Sequence, residues 1–228
     1  MDVHGVVLFG DVVRSRDDAD LAARWLDGLS ASLDAAYGSQ RLADFEFTQG
    51  DEIQGLLAPG ADPMRAILLS TLHPHGAGSA VPRMRWVMAL GRVEPGQGPA
   101  THRSGDAFVA ARALLGRARD DRDGLLCQTG DPVADAYLMG TAPLMAAIID
   151  RMTDRQRQIA RLALIDDLRQ SEIADRLDVA RPTVSVSFAR GEVRNLARLV
   201  TSVRAIWADG VKRVLAGIDA AAIAGPAT

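Results

Sequence analysis

Residues 48–58 read TQGDEIQGLLA, and this stretch sets the layout of the first half of the chain. Apolar residues flank Gly50-Asp51 on both sides, with FEF at 45–47 before it and Ile53 and LL at 56–57 after it. Two short apolar segments around a Gly-Asp turn are typical of a β-hairpin. Asp51 is then open to two interpretations, because Gly-Asp is common in turns and an exposed carboxylate can also bind a cation.

Strand and helix patterns alternate on either side of this hairpin. A β-branched apolar run at 3–9 predicts a buried strand, and a helical period of apolar residues covers 21–37. Further helix patterns cover 63–72 and 106–119, and further strand patterns cover 84–93 and 124–129. The order β-α-β-β-α-β-α-β predicts an α+β protein with a ferredoxin-like or palm domain, a mostly antiparallel sheet and helices covering one face.

Composition is that of an ordinary globular chain, since 48% of the 228 residues are hydrophobic and 24% are charged. No uninterrupted apolar run is long enough to span a bilayer, so no membrane partner is predicted. The single cysteine, Cys127, excludes an internal disulfide and favours a cytoplasmic location.

Charge is distributed unevenly along the chain. Residues 1–149 carry 13 Arg against 19 acidic residues, a net of −6. Residues 150–213 carry 13 Arg or Lys against 9 acidic residues, a net of +4. This asymmetry predicts two domains with different partners, although Arg-rich helices can also be simply solvated.

Residues 152–200 contain three helix patterns in succession. Thr153 can cap the first helix, with Gln156 at the capping-box position. Ser171 is expected to cap the second helix. Asp178 falls in the short turn that follows, where a left-handed residue is needed and Asp is tolerated better than most. This spacing is typical of a helix-turn-helix.

Pro182 suits the first turn of the third helix, and Val184 and Phe188 are predicted to face its core. The remaining polar side chains suit DNA, because Arg pairs with guanine or phosphate and Ser or Thr reaches bases and phosphates. The predicted DNA-contacting residues are Arg155, Arg169, Gln170, Arg181, Thr183, Ser185, Arg190 and Arg194.

This stretch resembles the helix-turn-helix of sigma-factor region 4 and of related response regulators. The matching residues are Thr153, Arg155-Gln156-Arg157, Gln170-Ser171-Glu172-Ile173-Ala174, Leu177 and Arg181-Pro182-Thr183-Val184-Ser185. Two positions differ, since Ala180 replaces the usual Ser cap and Asp178 the usual turn Gly. The resemblance implies an all-α DNA-binding domain, and a helical bundle without a DNA partner is the alternative.

Asp11 and Asp51 are the candidate metal ligands of the front half. Asp11 follows the first strand, and Asp51 lies at the hairpin tip. In a ferredoxin-like sheet these strand ends can be neighbours, and two carboxylates there suit Mg²⁺ or Mn²⁺ with a bound nucleotide. Ser15 and Arg16 follow Asp11 and are placed to contact phosphate oxygens. The alternatives are turn roles for the aspartates and an exposed salt bridge for Ser15 and Arg16.

The front half also resembles the SatD family of bacterial proteins over residues 3–119. The matching segments are Gly10-Asp11-Val12-Val13, Ser15-Arg16, Gly50-Asp51-Glu52-Ile53-Gln54-Gly55-Leu56-Leu57, Met84-Arg85-Trp86, Met88-Ala89-Leu90-Gly91, Gly105-Asp106-Ala107-Phe108 and Ala111-Arg112-Ala113-Leu114. SatD-like chains often carry a C-terminal helix-turn-helix, which agrees with the back half.

The same landmarks are distantly similar to class III nucleotide cyclases. That similarity implies that Asp11 and Asp51 hold metal ions and that Arg112 lies near the substrate phosphates. The segment DAFVAAR at 106–112 has no Asn before its Arg, where the cyclase helix has one, and the only Lys, Lys212, lies outside this half. These differences favour ligand binding over catalysis.

The predicted organisation is a cyclase-like palm domain at 1–132, a helix-turn-helix domain at 133–200, and a C-terminal helix and tail at 201–228. The tail is amphipathic, with a break expected at Asp209-Gly210, and predicts a homodimer interface or packing on the front domain. The predicted function is a DNA-binding transcriptional regulator that senses a nucleotide or another phosphorylated ligand. The alternative is a metal-dependent nucleotidyl cyclase or nucleotide phosphohydrolase that uses Asp11 and Asp51.

Overall fold

The computed structural model describes residues 3–13, 19–48, 51–72 and 82–224, without the side chains of 19–22 and 219–224. The strands are β1 Val3–Val12, β2 Arg41–Phe47, β3 Glu52–Leu57, β4 Met84–Val93 and β5 Leu125–Gln128. The helices are α1 Ala19–Tyr37, α2 Met64–Thr71, α3 Asp106–Asp120, α4 Pro132–Asp150, α5 Asp154–Leu164, α6 Gln170–Arg176, α7 Arg181–Arg190 and α8 Val193–Ala224.

The strands form one five-stranded sheet in the order β2-β3-β1-β4-β5. The first four strands pair antiparallel, and β5 joins β4 in parallel. This is the ferredoxin-like order with one added strand, so the α+β class and the predicted succession of elements are confirmed. A helical region follows the sheet, as the sequence predicts.

Helices cover both faces of the sheet, so the expectation of one covered face was wrong. Val6 and Leu8 of β1 belong to a core that includes residues of α1, α2, α4 and α8. Val7 and Phe9, which point the opposite way, pack with α3. Because successive residues of β1 are apolar on both sides, each face must be buried under a helix layer.

The strand β1 continues to Val12, whereas the apolar run predicted a strand over 3–9 with Asp11 after it. Asp11 stays in the ladder, opposite Glu52 of β3 and Arg85 of β4. A carboxylate can remain in a central strand here because an arginine from the neighbouring strand compensates its charge.

The three helices α5, α6 and α7 enclose a small core of Ile159, Ile173, Ala174 and Val184. The Thr153–Gln156 capping box of α5 is confirmed. Asp178 has φ 50°, the left-handed conformation predicted for this turn.

The expected Ser171 cap was wrong. Helix α6 begins two residues earlier, at Gln170, and Arg169 is its N-cap. The carboxylate of Glu172 accepts a hydrogen bond from the Arg169 backbone N–H at 2.7 Å. A charged carboxylate is a stronger acceptor than a hydroxyl, which is why the helix start shifts toward it.

Helix α8 runs unbroken through Asp209-Gly210, so the expected break was wrong. A Cβ placed on Gly210 would lie 2.7 Å from both Ala134 Cβ and Thr129 Oγ1. Gly210 therefore permits close packing of α8 on α4 rather than ending the helix. The domain limits at 132 and 200 stay predictions.

Helix α4 has the length and apolar composition of a membrane span, with a mean hydropathy of 1.4. In the fold, Leu138, Ala142, Met145 and Ile149 of α4 are buried in the core that covers one face of the sheet. One face of α4 thus belongs to the core, and the exposed apolar side chains of the helix are Val133, Tyr137, Met139 and Leu144.

Candidate functional site

The candidate site lies where α3 crosses the face of the sheet near the end of β1. A Cβ on Gly91 of β4 would lie 2.9 Å from the Ala107 backbone N, so the glycine lets α3 approach closely. Arg112 and Arg119 are seven residues apart on α3 and therefore share one helix face. That face is turned toward Asp11 and Glu52, which are paired across β1 and β3.

Asp11 is held by two arginines from different elements. Its side chain is buried, with 5% exposed, and its Oδ2 accepts from Arg85 Nη1 at 2.7 Å. Arg119 donates to both oxygens, with Nη2 at 2.6 Å from Oδ1 and Nε at 3.3 Å from Oδ2. The hydrogen bond to Asp11 is the main cause that raises the pKa of Arg119. The carboxylate is thus neutralised by fixed guanidinium groups.

Glu52 forms a second pair beside the first. Arg112 Nη1 donates to both Glu52 oxygens, at 2.8 and 2.7 Å, and Gln54 Nε2 adds a hydrogen bond at 3.0 Å. The Arg112 guanidinium also stacks 4.4 Å above the Phe9 ring. Arg119 Nη2 lies 3.7 Å from Glu52 Oε2 and links the two pairs into one network.

Sequence analysis missed Glu52, Arg85 and Arg119 as members of this network. Signals for them were present. Glu52 belongs to the hairpin motif, and Arg119 follows Arg112 by two helical turns. The structure places Arg112, predicted to lie near phosphate, in an ion pair with Glu52.

The structure brings Asp51 next to Asp11, because the Val12 N–H donates to the Asp51 backbone oxygen at 2.8 Å. Both oxygens of Asp11 accept from arginine in this structure. Across the described ranges, no group of three or more His, Cys, Asp or Glu side chains is close enough to hold a metal. The Mg²⁺ or Mn²⁺ site stays a prediction. Ser15 and Arg16 lie outside the described residues.

Beside the two pairs lies an open cleft of about 740 Å³. We call it the arginine cleft. The residues that line it are Val13, Arg83, Arg85, Arg119 and Arg122.

The predicted DNA-contacting residues lie on the helices α5 to α7 or next to them in the chain. Val184 is fully buried, whereas Arg181, Thr183, Ser185 and Arg190 of the same helix are exposed. Arg169 and Arg194 are exposed as well, and Arg155 is half-buried with its Nη1 donating to Gln158 Oε1 at 2.8 Å. Gln170, Ser185 and Arg194 come together with Phe188 in one shallow pocket.

Neither a family model nor a curated protein matches this chain. Among solved structures, the chain is similar to a bacterial light-regulated adenylyl cyclase, with 18% identity and a TM-score of 0.42. That similarity covers 56% of this chain and 43% of the cyclase. A second similarity is to the guanylyl cyclase Cya2, with 15% identity, a TM-score of 0.35, and 51% of this chain and 73% of that chain covered. Similarities this distant do not bear on activity.

Proposed function

We propose that this chain is a DNA-binding regulator whose sheet half senses a phosphorylated ligand. The observation that carries the proposal is the division of α7 into two faces. Val184 is buried against Ile159 and Ile173, while the polar residues of α7 face outward. A helix fixed to its neighbours by one apolar contact row leaves its polar face for the major groove.

The chemistry of that polar face suits DNA. Arg181 and Thr183 lie in the first turn of α7, the end that a recognition helix brings to the base edges. Arg190 closes the helix, where its guanidinium can neutralise a phosphate. Arg169 and Arg194 add positive charge on the flanking helices.

Contacts between α5 and α2 supply a route between the two halves. Arg157 Nη1 donates to the Thr71 carbonyl at 2.7 Å, and Arg161 Nη1 to the Leu69 carbonyl at 3.5 Å. Burial at this junction lowers the pKa of Arg157. A ligand that shifts the sheet half then changes DNA affinity, and by linkage DNA changes ligand affinity by the same factor.

A metal-dependent enzyme is the weaker candidate. Its catalytic cation would have to displace Arg85 and Arg119 from Asp11. The ion-paired arrangement favours a binding role for this half.

The test is DNA binding by the full chain, first to fragments selected from random sequence and then to the selected site at several salt concentrations. Arg181→Ala and Arg190→Ala are each expected to weaken binding, by about 1–3 kcal/mol for a base contact, and a lost phosphate contact reduces the salt slope by about one. Arg24→Ala, an exposed arginine on α1, is the control with the same charge change. Unchanged affinity and slope in both α7 variants, or an equal loss in the control, would contradict the proposal.

A further inference from the structure

The arginine cleft concentrates guanidinium groups from three elements at one opening. Arg85 comes from β4, Arg119 from the last turn of α3, and Arg122 from the turn before β5. Arg83 precedes β4 and pairs with Asp150 at the end of α4. Among the described residues, four of the five that line the cleft are arginines.

Two of these arginines, Arg85 and Arg119, are held in place by ion pairs. Asp11 is buried and fixes Arg85 and Arg119 by the ion pairs already described. Arg85 Nε also donates to the Asp123 carbonyl at 3.1 Å. Each guanidinium has five N–H donors, and Asp11 accepts from only two positions on Arg119. The N–H groups beyond these are the donors that a ligand in the cleft would use.

Arg122 lines the cleft from the turn before β5. It is exposed, and its backbone has φ 60°, a left-handed conformation that is uncommon for a residue with a side chain. Counted with the carboxylates that pair with the lining, four arginines face three acids, Asp11, Glu52 and Asp150. An excess of positive charge in a concave site attracts anions.

We infer that the arginine cleft binds a phosphate-rich anion, a triphosphate chain, through guanidinium hydrogen bonds and without a divalent cation. Arginine donors match phosphate oxygens in pairs, and a cleft of this size accommodates a nucleotide-sized molecule. The inference rests on the proposed sensor role of the sheet half and names its ligand class and residues. Asp11 acts here as a positioning residue, because it orients two guanidiniums and does not touch the ligand.

The experiment is calorimetric titration of the full chain with inorganic triphosphate, ATP and GTP, all in the presence of EDTA. The variants are Arg122→Ala and Arg83→Ala, whose side chains are largely solvent-exposed. The matched control is Arg117→Ala, an exposed arginine on the same helix α3 that does not line the cleft. Thermal unfolding of each variant confirms that it folds.

We expect binding in EDTA, at least a tenfold loss of affinity in both cleft variants, and no change in the control. If inorganic triphosphate binds as tightly as ATP, the phosphate chain alone determines the affinity. If ATP or GTP binds more tightly, the nucleoside also contributes to the affinity. Absence of binding in EDTA, or an equal loss in Arg117→Ala, would overturn the inference. DNA binding is measured separately on the same proteins. If the chain binds DNA but not triphosphate, the inference about the arginine cleft is rejected and the DNA-binding role is not. Triphosphate binding without DNA recognition rejects the DNA-binding role.

Discussion

Asp11 and Arg119 lie 108 residues apart and meet in a two-point ion pair that fastens the last turn of α3 to the central strand. Asp11→Ala leaves Arg119 and the mostly buried Arg85 without their carboxylate. We expect the free energy of unfolding to fall by about 3 kcal/mol, the lower end for breaking a buried pair, because Arg119 is partly exposed. Urea denaturation followed by circular dichroism measures the change.

A double-mutant cycle separates this pair from other effects of the substitution. Asp11→Ala, Arg119→Ala and the double variant are compared with the parent chain. The double variant is expected to be more stable than the sum of the two losses predicts, because it no longer leaves Arg119 without its carboxylate. Simple additivity would mean that the two groups do not interact in solution.

Tyr37 links α1 to the start of α2. Its hydroxyl donates to the Asp62 carbonyl at 2.8 Å and accepts from the Ala66 N–H at 3.0 Å. Tyr37→Phe removes both hydrogen bonds, but the Asp62 carbonyl keeps the Arg65 N–H and the Ala66 N–H keeps the Pro63 carbonyl. The expected cost is therefore about 1 kcal/mol of unfolding free energy, the net value of a typical hydrogen bond. Tyr137→Phe, an exposed tyrosine on α4, is the matched control with no expected loss.

Burial also raises the pKa of Tyr37 above its ordinary value of 10.0. The folded state therefore keeps the phenol proton when the unfolded chain has lost it. The associated stability is fully present below pH 10 and is lost as the pH rises through the raised pKa. Above pH 10, stability should fall less steeply in Tyr37→Phe than in the parent chain, and an identical slope would contradict this account.

Two glycines of α8 should respond in opposite directions to alanine. Gly210→Ala places a methyl group 2.7 Å from Ala134 Cβ and is expected to cost about 1–3 kcal/mol through overpacking. Gly217 has no neighbour within 4 Å, so Gly217→Ala is expected to stabilise the helix by about 1 kcal/mol. Thermal melting of both variants tests the pair, and a stabilising Gly210→Ala would show that the helices can separate at little cost.

Ala180 is the N-cap of α7 and makes no side-chain hydrogen bond. Ala180→Ser restores an acceptor for the free N–H groups of the first turn and is expected to add about 1 kcal/mol of stability. The exposed Ala189, inside the same helix, provides the control variant Ala189→Ser, for which no gain is expected. Equal effects of the two serines would rule out a capping mechanism.

Asp150 competes with any ligand of the arginine cleft for Arg83. Asp150→Asn frees that guanidinium and should tighten binding of inorganic triphosphate about two- to fivefold, the size expected for an exposed ion pair. Asp106→Asn removes a similar exposed pair with Arg92 at the other end of α3 and should leave binding unchanged. Weaker binding in Asp150→Asn would show that Asp150 positions Arg83 rather than competing for it.

Local patterns were sufficient to predict the order of the elements. Strand alternation and helical periodicity placed β4 at its observed limits and β1, α1 and α3 within a few residues of theirs. Asp178 and the Thr153 capping box were predictable because turn and cap preferences depend on neighbouring residues alone.

The ion-pair network was not predictable in the same way. Arg85 and Arg119 reach Asp11 only after the sheet has formed and α3 has packed on it, so no local pattern names them. The continuity of α8 has the same cause, because a Gly that looks like a helix end in sequence is retained by packing against Ala134. The role of Asp51, as a metal ligand or as a turn residue, also depends on which side chains the fold brings next to it, and local sequence does not specify these.

The unbroken helix α8 has a mechanical consequence. It packs closely on α4 at Gly210, while its first turns lie against α5 and α7. The distance between Val193 and Gly210 along the helix is about 26 Å, so a tilt of about 5° around Gly210 moves the Val193 end by about 2 Å. With Gly210 as the pivot, the movement at the α7 end of α8 grows with the length of helix between the two points.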